Sequence, residues 1–185
     1  LLERVIYEDG GLLALNKPSG MAVHAGSGIA YGLIELMRKI HPVGDALELC
    51  HRLDRETSGL LLLSKKRNIN NYINSLFKQK TNTDLGIKKS YLTLLKGSLN
   101  KQTKVEHKLY RQGKHDGERI VVVHPDGVAA ASTFRPVSRV GDLATLSEVD
   151  LHTGRTHQVR VHAQSMGHPV AGDSKYGNKR FNRQM

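Results

Sequence analysis

Apolar residues in the first third of the chain recur at two spacings, and each predicts its own kind of element. Val5-Ile6-Tyr7 and Leu12-Leu13-Ala14-Leu15, parted by Asp9-Gly10-Gly11, predict a β-hairpin. Asn16-Lys17-Pro18-Ser19-Gly20 stops its second strand, because proline withdraws a ladder donor and Pro-Ser-Gly suits a tight turn. After the loop Ala25-Gly26-Ser27-Gly28, residues Leu33, Ile34, Met37 and Ile40 share one helical face, and Pro42 ends that helix. The unbroken block Leu60 to Leu63 predicts a buried strand. Ile69, Tyr72, Ile73, Leu76 and Phe77 then mark the cleanest amphipathic helix. The polar stretch Thr81 to Gly86 reads as a mobile loop.

Further along, Tyr91-Leu92-Thr93-Leu94-Leu95 predicts another buried strand. Short β signals at Val105 to Leu109, Arg119 to Val123, Ala130 to Phe134 and Ala144 to Val149 alternate with Asp116-Gly117, Asp126-Gly127 and Gly141-Asp142, the pattern of an antiparallel meander. Thr153-Gly154-Arg155-Thr156 introduces a short helix with Val159, Ala163 and Met166 inward and Gly167 as its C-terminal cap. The expected fold class is α+β: a single domain over residues 1–185, built on a mixed, mainly antiparallel β-sheet with flanking helices and loops.

Composition narrows the function. No apolar run approaches the roughly 18 residues of a membrane span, and the N-terminus lacks a signal-peptide pattern. The one cysteine, Cys50, lies in the apolar run Leu47-Glu48-Leu49-Cys50, which predicts a buried, inert thiol in a reducing cytoplasm. Lys and Arg number 28 against 17 Asp and Glu, a formal net charge of +11, and such an excess attracts nucleic acid or anionic surfaces. The charge is distributed rather than gathered on an amphipathic helix, which favours a phosphate backbone over a membrane. Of the ten histidines, His157 and His162 stand five apart with no cysteine pair, unlike the paired ligands of structural zinc. No phosphate-binding loop, dinucleotide fingerprint or Gly-x-Ser-x-Gly elbow occurs.

The chemistry concentrates in His51-Arg52-Leu53-Asp54-Arg55-Glu56-Thr57-Ser58-Gly59. Asp54 lies between two arginines, and nearby cations keep a carboxyl ionised. The leucine strand that follows would hold the loop stiff. An anion fixed on a rigid loop of a basic protein suits a nucleophile or base acting on a polyanion; the plainer alternative is a surface Arg-Asp-Arg ion pair capping a strand.

Four segments taken in order decide between these. They are Asn16 to His24, the Asp54 loop, Lys89-Ser90-Tyr91, and Thr153-Gly154-Arg155-Thr156-His157-Gln158-Val159-Arg160-Val161-His162. Together they resemble the RluA-type pseudouridine synthases, over nearly the whole chain and including Gly26-Ser27-Gly28 and Gly117-Glu118-Arg119-Ile120-Val121. The resemblance implies the pseudouridine synthase fold and an enzyme that detaches uracil from its ribose, turns it and rejoins it through carbon, with no metal or organic cofactor. It implies Asp54 as the essential catalytic group, Arg160 as the arginine paired with it, and Tyr91 as the ring packed on an everted uracil. Arg52 would enter the RNA where the base has left. Arg55, Arg155, His157 and Val159 complete the expected substrate-binding set, with Arg55 leaning to loop support and Arg155 and His157 either touching RNA or bracing the sheet. Lys17 and His24 are expected to act as scaffold, and His51 to fix the loop by hydrogen bonding. The expected partner is RNA, above all large-subunit ribosomal RNA, for a monomeric cytoplasmic protein. Such relatives carry an N-terminal S4 RNA-binding domain and a further C-terminal strand, so the chain is expected to be a catalytic domain truncated at both ends. Two other classes compete: a catalytically silent RNA-binding module, and a glycoside or nucleoside hydrolase. The latter commonly needs two carboxylates, and no second acid has a setting like that of Asp54.

Overall fold

The structure, a computed structural model, describes residues 1–26, 28–79, 86–115 and 118–185. It divides into two compact units, Leu1–Ile87 and Lys88–Met185. The strands expected in one sheet form two sheets, one in each unit, and every strand pair among the described residues is antiparallel rather than mixed. The α+β class stands. No helix among the described residues is long and apolar enough to cross a membrane.

In the first unit, β1 (Val5–Glu8), β2 (Leu12–Lys17), β3 (Glu48–Leu49) and β4 (Gly59–Ser64) lie in the order β1-β2-β4-β3. The Asp9 carboxylate closes the first hairpin by accepting the backbone N–H groups of Gly11 and Leu12, each at 2.7 Å. Leu13 pairs with Leu63 and Leu15 with Leu61, and all four are fully buried. Burying each contributes roughly 2–3 kcal/mol. Leu60 instead faces outward opposite Asn16, so the leucine block is a strand covered on one face, not on both. Helix α1 (Leu33–Ile40) buries Leu33, Ile34 and Met37, while Ile40 in its last turn is exposed. Glu35 holds its start, its Oε2 accepting the N–H groups of Gly32 and Ala25 at 2.8 and 3.0 Å. Helix α2 (Arg67–Lys78) forms where expected, with Tyr72 turned outward. Its buried residue is Asn70, which donates to the Leu49 carbonyl (3.1 Å) and the Ser64 hydroxyl (3.0 Å) and so ties the helix to the sheet. Cys50 is buried as expected, and burial raises its thiol pKa. Thr81 to Leu85 lie outside the described residues.

The second unit is antiparallel throughout, as expected, but its strands are not in the sequential order of a meander. Strands β5 (Lys89–Lys96), β6 (Thr103–His115), β7 (Glu118–Val123), β8 (Val128–Val140) and β9 (Ala144–Leu151) take the order β5-β9-β8-β6-β7. The Asp116-Gly117 turn lies outside the described residues. Leu92 and Leu95 lie on opposite faces of β5, so Leu92 points to solvent and Leu95 alone of its leucines is fully buried, against the expectation of a strand buried throughout. Helix α3 (Gln158–Ser165) sets Ala163 into the core of Leu95, Leu99, Val105, Phe134 and Val149, with Val159 and Met166 beside it. Gly167 ends the helix at φ +80°, a left-handed conformation that glycine adopts without penalty. The N–H groups of Gly167 and His168 then reach back to the carbonyls of Gln164 and Ala163. The chain closes with α4 (Lys179–Asn182).

Candidate active site

Asp54 sits in the loop before β4, between buried Leu53 and the turn in which the Thr57 N–H meets the Asp54 carbonyl at 3.1 Å. Gly59 leaves that loop at φ +117°, a conformation L side chains rarely adopt, so glycine is needed there. The loop is stitched to residues 17–20. Lys17 is wholly enclosed, and its Nζ donates to the carbonyls of Pro18 (2.9 Å), Met21 (2.7 Å) and Arg55 (3.0 Å). The Ser19 hydroxyl donates to the Glu56 carbonyl (2.7 Å), and Arg55 Nε to the Gly20 carbonyl (3.0 Å). Burial pushes the Lys17 pKa below the ordinary lysine range, while the charges of Glu56 and Asp54 push back. Three carbonyls converge on one ammonium, so loop and turn are held as one piece. On the other side, the Leu62 N–H donates to His51 Nε2 at 3.1 Å, and the His51 ring lies 5.0 Å from that of Phe77. His51 and Arg55 thus brace the loop, while the Arg52 side chain is exposed.

The remaining expected site residues belong to the second unit. Tyr91 on β5 is half-buried and packs against the Leu95–Phe134 core. Lys89, two residues earlier, has its pKa lowered first by burial and then by the charge of Arg155. Gln158 organises the segment from Thr153 onward. Its Oε1 accepts from the Thr153 hydroxyl (2.7 Å) and the Arg155 N–H (2.9 Å), and its Nε2 donates to the Ala131 carbonyl (2.9 Å) and Ser132 Oγ (2.8 Å). His157 takes a left-handed conformation (φ 55°, ψ 18°), unusual for a residue other than glycine. Its Nδ1 lies 2.8 Å from the Tyr176 hydroxyl, which also accepts the Val121 N–H at 2.9 Å. Arg155 is exposed and donates through Nε to the Ala129 carbonyl at 3.2 Å. Val159 packs against the core.

Arg160, on the first turn of α3, is gripped by a carboxylate that sequence reasoning missed. Its Nε donates to Asp173 Oδ2 at 2.7 Å and its Nη2 to Asp173 Oδ1 at 2.9 Å. Asp173 Oδ1 also accepts the N–H groups of Lys175 (2.9 Å) and Tyr176 (3.0 Å), and the Tyr176 ring lies 5.0 Å from the guanidinium carbon. Burial alone would raise the Asp173 pKa; the bonds from Arg160 and from the two backbone amides outweigh it and hold the carboxyl below its ordinary value. Gly172-Asp173 and Tyr176-Gly177 gave a turn signal, but nothing local pointed back to a helix thirteen residues earlier. Among the described residues no group of three or more His, Cys, Asp or Glu is placed to hold a metal ion.

Residues 11–165 match the family model described as RNA pseudouridylate synthase. The chain is similar to ribosomal large subunit pseudouridine synthase C of Pasteurella multocida, 44% identical over all of this chain and 55% of that protein. The namesake from Escherichia coli K12 is 43% identical over all of this chain and 56% of that protein. The chain therefore spans about half the length of the curated relatives it matches. Among solved structures, human RNA pseudouridylate synthase domain containing 1 superposes with a TM-score of 0.79 at 23% identity, over 97% of this chain and 71% of that one. Its counterpart, domain containing 4, gives 0.75 at 26% identity, over 97% and 70%. Both likenesses speak for the fold, and the match to the family model over most of the residues places this chain in the RNA pseudouridylate synthase family.

Proposed function

We propose that the chain converts uridine to pseudouridine in large-subunit ribosomal RNA, the substrate named for its curated relatives. In this reading the target nucleotide is everted from the RNA and presented to Asp54. The bond from ribose C1′ to uracil N1 breaks, the base turns, and C1′ bonds to C5. C5 then releases its proton while N1 gains one. Atoms and electrons balance within substrate and solvent, so no redox partner is called for.

The observation that carries the reading is the Asp54 loop, fixed to residues 17–20 through the enclosed Lys17 ammonium. Rigid placement of a reacting group removes the entropy of finding its geometry. Arg160, held by Asp173, is assigned as a catalytic cation. Tyr91 offers a π-face worth about 1–3 kcal/mol to a base that has lost its stacking, and its phenol is assigned to the C5 proton. Arg52 is assigned to the gap left in the RNA, where a guanidinium stacks and hydrogen-bonds at once. Arg55 joins its loop-bracing role to phosphate contact, and Arg155 and His157 are assigned to the RNA backbone.

The test is to incubate the chain with uridine-containing ribosomal RNA and map pseudouridine. Conversion that disappears in Asp54→Asn supports the proposal. Release of free uracil would point to a hydrolase, and tight binding with unchanged RNA to a binding module; either result overturns it.

A further inference from the structure

Beside the Asp54 loop, within the first unit, runs an open groove of about 470 Å³, inside the roughly 300–1,000 Å³ range of small-ligand clefts. Its floor is apolar, made by the half-buried Met21, Ala22, Ile29 and Leu36. Tyr31 also lines it, a large ring left 54% exposed, and the Lys39 ammonium lies 3.9 Å from the centre of that ring. Arg55 carries the only charge among the lining residues. Its Nε donates to the Gly20 carbonyl at 3.0 Å, which lays an exposed guanidinium along the turn at residues 18–20. Because Arg55 directly follows Asp54, the groove begins one peptide, about 3.8 Å of chain, from the candidate catalytic residue.

Each part of this groove answers to one part of a nucleotide. An unpaired base that leaves water needs an apolar floor and a π-face, and its phosphate needs a cation. Lys39 holds the Tyr31 ring from one side, so little side-chain freedom is lost when a base meets the other. An apolar peptide would suit the floor, but the flanking Arg55 and Lys39, in a chain of net charge +11, favour an anionic occupant. Resting on the functional reading above, we propose that the groove binds an unpaired base of the substrate RNA next to the everted uridine, stacked on Tyr31, with Arg55 on its phosphate.

Tyr31→Ala tests this on a ribosomal RNA fragment whose converted uridine has been mapped with the parent chain. Removing the ring should weaken RNA binding roughly 5–150-fold, the loss of one stacked base. KM should rise with it while kcat holds within about two-fold, because the contact is made equally before and during the reaction. Tyr31→Phe keeps the π-face and should bind within about two-fold of the parent. Affinities are scored per folded molecule, and truncating an exposed ring spares the core. The same RNA made abasic at one neighbour of the target uridine, then at the other, supplies the second arm. On one of these RNAs the parent should fall to the affinity of Tyr31→Ala, and the variant should lose nothing more. An affinity within about two-fold of the parent in Tyr31→Ala overturns the proposal. So does a loss that persists unchanged on both abasic RNAs, or a Tyr31→Phe as weak as Tyr31→Ala. If Tyr31→Ala instead alters the sedimentation of the protein alone and leaves RNA affinity intact, the groove belongs to a second copy of the chain and the proposal fails. A parent chain that makes no pseudouridine, or turnover in Asp54→Asn, removes the functional reading and this inference with it. An active parent beside a Tyr31→Ala of full affinity removes only this inference.

Discussion

Acid should loosen the second unit through one histidine. His162 on α3 is fully enclosed. Its Nδ1 lies 3.1 Å from Ser132 Oγ, a hydroxyl that already accepts from Gln158, and its Nε2 has no hydrogen-bond partner among the described residues. The ring of His107 stands edge-on at 5.7 Å. Burial, followed by the charge of His107, lowers the His162 pKa from 6.5 to about 4. The folded value lies below the unfolded one, so the unfolded chain takes up the proton first as pH falls. The stability that neutral His162 confers is complete above pH 6.5, declines between 6.5 and 4, and is gone below that. The full interval corresponds to roughly 3 kcal/mol, and about 2 kcal/mol of it should be lost by pH 5. Urea unfolding of the second unit at stepped pH, compared with His162→Phe, isolates this contribution. The variant forgoes the Ser132 bond, worth about 1 kcal/mol, but has nothing to titrate. The stability difference between parent and variant should therefore shift by about 2 kcal/mol in the variant's favour from pH 7 to pH 5. A difference that stays flat over that range, or an imidazole signal of His162 that titrates near pH 6.5 in NMR, would refute the argument.

Three further expectations test the site. Lys17→Met should cost the first unit about 2–4 kcal/mol in urea unfolding, because three carbonyls lose their shared donor, and should slow turnover by freeing the Asp54 loop. Arg160→Ala should lower the melting temperature of the second unit by the equivalent of about 3–5 kcal/mol as well as abolish activity, since it strands a buried Asp173 carboxylate; normal melting would show that the pair is dispensable. Tyr91→Phe keeps the ring, so RNA binding should hold while kcat falls by about 10²–10⁴-fold, and unchanged turnover would remove the phenol from proton transfer.

Much of this molecule was legible in one dimension. Helices α1, α2 and α3, the first hairpin and the antiparallel strands of the second unit follow from spacings of 3.6 and 2 and from local turn chemistry such as Asp9 and Gly167. The Asp54 loop was legible for the same reason, its unusual residues being contiguous. Depth and partnership were not. Leu60 and Leu92 read as buried because a run of leucines carries no sign of which face of its strand is covered, and that depends on which neighbours the sheet acquires. The division of the described strands into two sheets depends on long-range pairing, which composition does not encode.

Lys17 shows the gap most plainly. A lysine is rarely enclosed, and only the convergence of three carbonyls from residues 18, 21 and 55 makes its burial tolerable. Arg160 is a second case. The motif singled out the arginine, but its orientation comes from Asp173 and Tyr176 in a later turn, joined to it by chain reversal rather than by any periodicity. Residue types and their order thus named the chemistry, because reactivity resides in particular functional groups. Which groups are dry, paired and aimed emerged from folding, because hydrogen-bond partners and water exclusion are properties of residues that meet in space.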